Sequence, residues 1–139
     1  MPRGLRITFC AHAVVALFFG VVAWLRPALW AAAFGWEPFD AVMVRGFGAA
    51  LIALGVGSCL AYRAADWQDV RILVQTEIAF CALSTVGALW AALFREAPAF
   101  LWFGIACWVV FGAAWTVFYA RARARETGPR RSRPMAASG

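Results

Sequence analysis

The sequence predicts an all-α fold, an integral membrane four-helix bundle, on three observations. Hydrophobic residues make up 64% of the 139-residue chain and charged residues 14%, with a mean hydropathy of +0.73. A soluble domain of this size cannot hide so much apolar surface in its own core. Four apolar runs of about 18 or more residues follow one another, each long enough at about 1.5 Å per residue to cross about 30 Å of hydrocarbon. All 13 basic residues are Arg, and they gather at or beyond the ends of these runs. The same balance excludes disordered, collagen-like and disulfide-scaffold classes. The net charge of +6 comes with no helix-turn-helix, zinc-finger or aromatic-basic surface, so nucleic acid is not an expected partner.

The first span covers residues 7–25 and is closed by Arg26-Pro27. Its apolar stretch exceeds the 7–15 residues usual in a signal peptide, so it is expected to be retained. Residues 27–40 are too short to cross, and Pro27 suits a helix start, where its missing N–H would be unpaired anyway. This segment is expected to be a short interfacial helix, with an irregular outer loop as the alternative. The second span is 44–62, closed by Arg63; the third is 72–94, closed by Arg95-Glu96; the fourth is 99–120, closed by the Arg-rich end. Residues 1–125 thus form one transmembrane domain, and 126–139, rich in Pro, Arg, Ser, Ala and Gly, a mobile basic tail. The match between residues 28–34 and 88–94 is cheap in an Ala-rich chain and supports no repeat.

Orientation follows from the arginines, which are retained on the cytoplasmic side near span ends. With both termini cytoplasmic, Arg3, Arg6, Arg63, Arg71, Arg121, Arg123, Arg125, Arg130, Arg131 and Arg133 lie inside, and only Arg26, Arg45 and Arg95 outside. Trp24, Trp30, Trp36, Trp90 and Trp102 then gather at the outer interface, where an indole holds its ring among acyl chains and its N–H among headgroups. Trp30 and Trp36 are accordingly read as interface anchors. Arg45, at the outer start of the second span, is read as a snorkelling anchor for lipid, with a pairing to Asp40 or Glu37 as the alternative. A multi-pass protein of a bacterial inner membrane is expected.

In lipid, small residues at helical spacing mark the contact faces. Ala49, Ala53, Gly57 and Ala61 form the clearest stripe, on the second span, with Gly46, Ala50 and Ser58 beside it. Ala16, Gly20 and Ala23 mark the first span, and Ser84, Ala88 and Ala92 the third. A close-packed bundle is one product of such stripes and a homodimer the other.

Ionisable groups inside a span are costly, about 2.5–3.5 kcal/mol at the centre on insertion scales, so the few present draw the argument. Glu77 lies about two turns into the third span and His12 a similar distance into the first, from the same side. Ser58 and Thr116 fall at this depth too, so His12, Ser58, Glu77 and Thr116 form the candidate ligand-binding set. Glu77, Cys81, Ser84 and Ala88 share one stripe, and Thr8, His12 and Ala16 another, placing both in the bundle interior. A His12–Glu77 pair would serve as a proton-exchanging site or as the polar end of a pocket open to the cytoplasm. A structural hydrogen bond, or a Glu77 that snorkels to the headgroups, is the plainer reading and the preferred one.

One histidine cannot build a bis-histidine haem within one chain, and there is no HExxH helix or other multi-His site, so no metal or cofactor is expected. Cys10, Cys59, Cys81 and Cys107 are spread singly with no CxxC and are read as buried thiols acting as small apolar residues. No catalytic motif is present, and no enzymatic activity is expected.

The run Val44-Arg45-Gly46-Phe47-Gly48-Ala49-Ala50-Leu51-Ile52-Ala53-Leu54-Gly55, preceded by a long first helix, Arg26-Pro27 and a segment ending near Phe34-Gly35, resembles the DoxX-like group of small four-helix membrane proteins. The resemblance covers about the first two spans. It implies a bacterial or archaeal inner-membrane protein, with Arg45 and Gly48 in a family motif and nothing catalytic; some members accompany quinone-linked oxidoreductase complexes. The expected function is an accessory or structural subunit packed against other membrane proteins or copies of itself. The alternative is a small transporter, or a carrier of a quinone-like hydrophobic ligand, with its polar site at the cytoplasmic end of the bundle.

Overall fold

A computed structural model describes residues 1–36, 38–95 and 97–127 of the chain. They form five α-helices: α1 (Arg3–Leu25), α2 (Pro27–Phe34), α3 (Ala41–Arg63), α4 (Trp67–Phe94) and α5 (Phe100–Thr127). All but α2 are long and apolar enough to cross a membrane. Each expected span is present, and all four helices run further at one end or both than hydropathy indicated. Residues such as Gln68, Asp69, Arg121 and Arg125 continue the backbone hydrogen-bond ladder beyond the stretch suited to hydrocarbon, because hydropathy marks the lipid-compatible segment and not where the ladder ends. Residues 126 and 127 therefore belong to α5, and the rest of the expected tail, 128–139, lies outside the described residues.

Local chemistry explains the breaks. Arg26 leaves helical geometry at φ −132° because the ring of Pro27 crowds a helical residue before it, and Pro27 then opens α2. Gly35, at φ 67° and ψ 29°, takes the left-handed turn that ends α2, while the N–H groups of Gly35 and Trp36 return to the carbonyls of Ala32 and Ala31. Asp40 caps α3, its carboxylate accepting from the N–H groups of Val42 and Met43 at 2.7 and 3.2 Å.

The four long helices associate as two pairs, α1 with α3 and α4 with α5, and the pairs touch each other more sparsely. The buried face of α1 runs Leu5, Phe9, His12, Ala16, Gly20 and Ala23; that of α3 runs Val44, Gly48, Leu51, Gly55, Ser58 and Ala61. Steps of three and four are mixed along both, the spacing that keeps one seam turned to a neighbour. The stripe expected on α3 meets this face only near Arg63, where Ala61 and the adjoining Ser58 are buried. Ala49 and Ala53 are exposed, because steps of four drift by about 40° each and cannot follow one partner for several turns. The stripe expected on α1 is buried throughout.

Glycine makes the α1–α3 crossing. A Cβ on Gly48 would lie 2.8 Å from the Gly20 carbonyl oxygen and 2.8 Å from the Trp24 nitrogen; one on Gly20 would lie 2.9 Å from the Gly48 oxygen. At the end of the bundle that carries Met1, the two pairs close over Leu5, Phe9, Ala61, Val70, Val74 and Trp115. The Met1 ammonium donates to the Ala65 carbonyl there, and Gln68 donates to Glu126. Both described chain ends thus sit at one end of the bundle, opposite α2.

Gly48→Ala should destabilise the fold by about 1–3 kcal/mol, since the obstructing atoms are backbone and the helices must part. Gly46→Ala, whose Cβ would meet nothing within 4 Å, should be neutral or stabilising by up to about 1 kcal/mol. Thermal unfolding of the two variants in one detergent checks the contrast, and equal melting temperatures would contradict the close crossing.

Candidate functional site

His12 on α1, Ser58 on α3 and Glu77 on α4 meet inside the bundle, at relative exposures of 6%, 0% and 0%. His12 Nδ1 lies 2.9 Å from Ser58 Oγ and 3.4 Å from Glu77 Oε1, and the Ser58 hydroxyl donates to Glu77 Oε1 across 3.5 Å. Each side chain arrives there by its helix seam: His12 follows Leu5 and Phe9, Ser58 follows Leu51 and Gly55, and Glu77 follows Val70 and Val74. The structure thus brings His12 and Glu77 together, with Ser58 in reach of both. Glu77 is fully enclosed and does not snorkel. Its second oxygen, Oε2, is buried with no hydrogen-bond partner.

The fourth expected member is not in the cluster. Thr116 is exposed on the outer face of α5, its hydroxyl turned back to the Gly112 carbonyl at 2.7 Å. The seam of α5 runs through Leu101, Ile105 and Trp115, so the helix presents Trp115 where Thr116 was expected. Residues 115 and 116 share a depth but differ by about 100° around the helix. What α5 brings to the histidine is aromatic: Phe111 and Trp115 set their rings edge-on to it, at centroid distances of 5.0 and 5.9 Å. Phe9 and Trp115 pack at 4.8 Å beneath it.

On the side of His12 facing α2, a partly open cavity of about 360 Å³ separates the two helix pairs. His12 forms its polar floor, and Ala16, Phe19, Leu51, Cys81, Phe103 and Gly104 are among its walls. Ser58 and Glu77 stand behind the histidine and do not line the space. The cavity was expected at the end carrying the termini. Leu5, Phe9, Val74 and Trp115 pack beneath the histidine there, and a separate hollow of about 520 Å³ at the helix ends, lined by Pro2, Trp67, Phe118 and Arg121 among others, does not include His12, whereas small residues at 16 and 104 leave the opposite half unfilled.

An aromatic collar surrounds the far end. Phe34 of α2 stacks on Phe100 of α5 at 3.7 Å and 17°, and Phe19 lies 5.9, 6.4 and 6.3 Å from Phe34, Phe100 and Phe103. Trp30 and Trp36, expected to anchor the interface, both line the cavity. Trp30 packs edge-on against Phe34 at 4.9 Å, and its indole N–H is buried without a partner. Trp36 lines the cavity yet stays exposed, whereas Trp30 turns inward; an aromatic residue near a span end satisfies the composition of an interfacial belt whichever way it points, so sequence alone read Trp30 outward.

Arg45 is exposed at the first turn of α3. Asp40, its expected partner, is engaged as a helix cap; Glu37 lies outside the described residues. The cysteines divide: Cys81 and Cys107 line the cavity, whereas Cys10 and Cys59, expected to be buried, face outward, and all four are free thiols. Among the described residues no group of three His, Cys, Asp or Glu side chains is arranged to hold a metal ion.

Ser58→Ala removes the hydroxyl joining three helices and should destabilise the protein by about 1–2 kcal/mol, the upper range for interhelical hydrogen bonds in membranes. Thr116→Val should change stability by less than about 0.5 kcal/mol, as an exposed position does. Unfolding of both variants in the same micelles tests this, and an equal loss would contradict the assignment of Ser58 and not Thr116 to the cluster.

No family model matches the chain, and neither a curated protein nor a solved structure matches it.

Proposed function

We propose that this is a multi-pass protein of a bacterial inner membrane that binds a small, largely apolar molecule inside its helix bundle. The observation that carries the reading is the cavity of about 360 Å³, walled by aromatic side chains and floored by one polar group, His12, held in place by Ser58 and Glu77. Small-molecule sites are apolar hollows of about 300–1,000 Å³ with a few placed polar groups, and this space has that size and composition. A hydrogen bond kept only for stability needs no such space beside it. A transporter or a carrier of a hydrophobic ligand is the corresponding role.

The arginine asymmetry supports cytoplasmic termini, with ten arginines at or beyond the inner span ends and three at the outer ones. Under that orientation the cavity belongs to the outer half of the bundle, with α2 and its aromatic collar near the outer interface. The DoxX-like resemblance remains part of the proposal and rests on the residues from Arg26 to Gly55.

A second reading, an accessory subunit of a larger membrane assembly or a homo-oligomer, has its own observation. Ala49, Ala50 and Ala53 leave a smooth, uncovered face on α3, and Gly46 adjoins open space. Close-packing partners use such faces in lipid.

Native mass spectrometry of the protein extracted gently from its own membranes separates the two. Ligand binding predicts the chain carrying an additional small-molecule mass, and Gly104→Leu should lose that mass while keeping the fold. A Cβ at Gly104 meets only the Trp108 ring, at 3.5 Å, so the larger side chain is free to enter the cavity. Recovery only within a larger assembly, with no added mass, would establish the second reading instead.

A further inference from the structure

The orientation of the histidine narrows the chemistry of the ligand. His12 Nδ1 faces Ser58 and Glu77, so Nε2 is the ring nitrogen left to the cavity. Two oxygens converge on Nδ1, Ser58 Oγ at 2.9 Å and Glu77 Oε1 at 3.4 Å, and the Ser58 hydroxyl has Glu77 Oε1 as its other partner at 3.5 Å. Acceptors gathered on that side favour the neutral imidazole with its proton on Nδ1. Nε2 then presents a lone pair. A ligand meeting it must donate a hydrogen bond. Among the described residues the rest of the cavity is lined by aromatic and aliphatic side chains, a thioether and two thiols, with no carboxylate, Arg or Lys; its other polar groups are indole N–H groups, of which the unpartnered one of Trp30 belongs to α2, at the far end from His12. A charged ligand would lose its hydration with no counter-charge supplied.

We propose that the cavity takes an uncharged, ring-containing molecule bearing a hydroxyl, of the phenol or ring-alcohol class, bound ring-first among Phe19, Phe103 and Phe111 with its O–H donated to His12 Nε2. This rests on the ligand-binding reading above. The donor requirement comes from the relay: Glu77 accepts from Ser58, Ser58 accepts from His12, and His12 accepts from the ligand. Ser58 and Glu77 are positioning residues; they fix the tautomer and do not touch the ligand. A ketone or ether of the same shape has only lone pairs to offer and would leave Nε2 unpaired against an oxygen of like polarity, which is costly in a buried setting.

The test uses the full chain in lipid nanodiscs and three bromobiphenyls carrying a hydroxyl, a methoxy or an acetyl group at the far ring. Bromine quenches tryptophan on contact, and Trp30, Trp36 and Trp108 line the cavity. Quenching is corrected for each compound's partition into the same bilayer and for the signal of Gly104→Leu. The hydroxyl compound should bind about 5- to 10-fold more tightly than the other two, the worth of one net buried hydrogen bond. His12→Phe should abolish the preference while ring binding persists. If that variant does not fold, the wild-type series decides alone. Equal binding of all three compounds, or tighter binding of the acetyl compound, would overturn the donor assignment and leave the ligand-binding reading standing. Absence of cavity-specific quenching by any of the three would overturn both.

Discussion

Where α1 crosses α3, glycine lets backbone meet backbone, and much of the molecule follows from that contact. Gly20 and Gly48 each stand where even one methyl group would strike the other helix. In lipid there is no hydrophobic force to draw helices together, so association depends on close packing and on polar groups that have nowhere else to go. The crossing supplies the first of these. It binds α1 and α3 into a tight pair, and α4 with α5 forms a second pair that is held more loosely to the first.

The two pairs are joined most firmly at the end away from α2, by two kinds of interaction. Large side chains from three helices, Leu5, Phe9, Val70, Val74 and Trp115, fill the space there. Just above them Glu77 of one pair reaches Ser58 and His12 of the other. With no water in the hydrocarbon region, a buried carboxyl group whose Oε1 finds its partners only on the opposite pair is a strong reason for the pairs to stay together. Beyond His12 the wall residues Ala16 and Gly104 are too small to meet across the gap, and the cavity remains. Stability and the candidate site are thus consequences of one arrangement: the histidine is both the top of the packed core and the floor of the unfilled half.

α2 completes the site from outside. It is too short to cross a membrane, yet it carries Trp30 and Phe34 inward, and the Phe34–Phe100 stack ties it to α5. Its termination at Gly35 and the cap at Asp40 return the chain into α3 beside the same cavity. The helix that sequence reasoning placed on the membrane surface therefore contributes walls to the interior space.

Counting residues along the chain was enough to determine the four long helices and the shared depth of His12, Ser58 and Glu77; it left the segment between the first two spans open between a short helix and a loop. These follow from a fixed rise per residue and from the cost of burying charge in hydrocarbon, both local properties. The direction each helix faces was only partly legible. On α1 and α4 a polar residue stands on the small-residue seam, so the buried faces of His12 and Glu77 could be read. On α3 and α5 nearly every face is apolar enough for lipid, and nothing in the composition separates Trp115 from Thr116 or Gly48 from Ala49. Tertiary packing alone decided those rotations. With them it decided the inward turn of Trp30, the place of the cavity, and which nitrogen of the single histidine is left to meet whatever enters it.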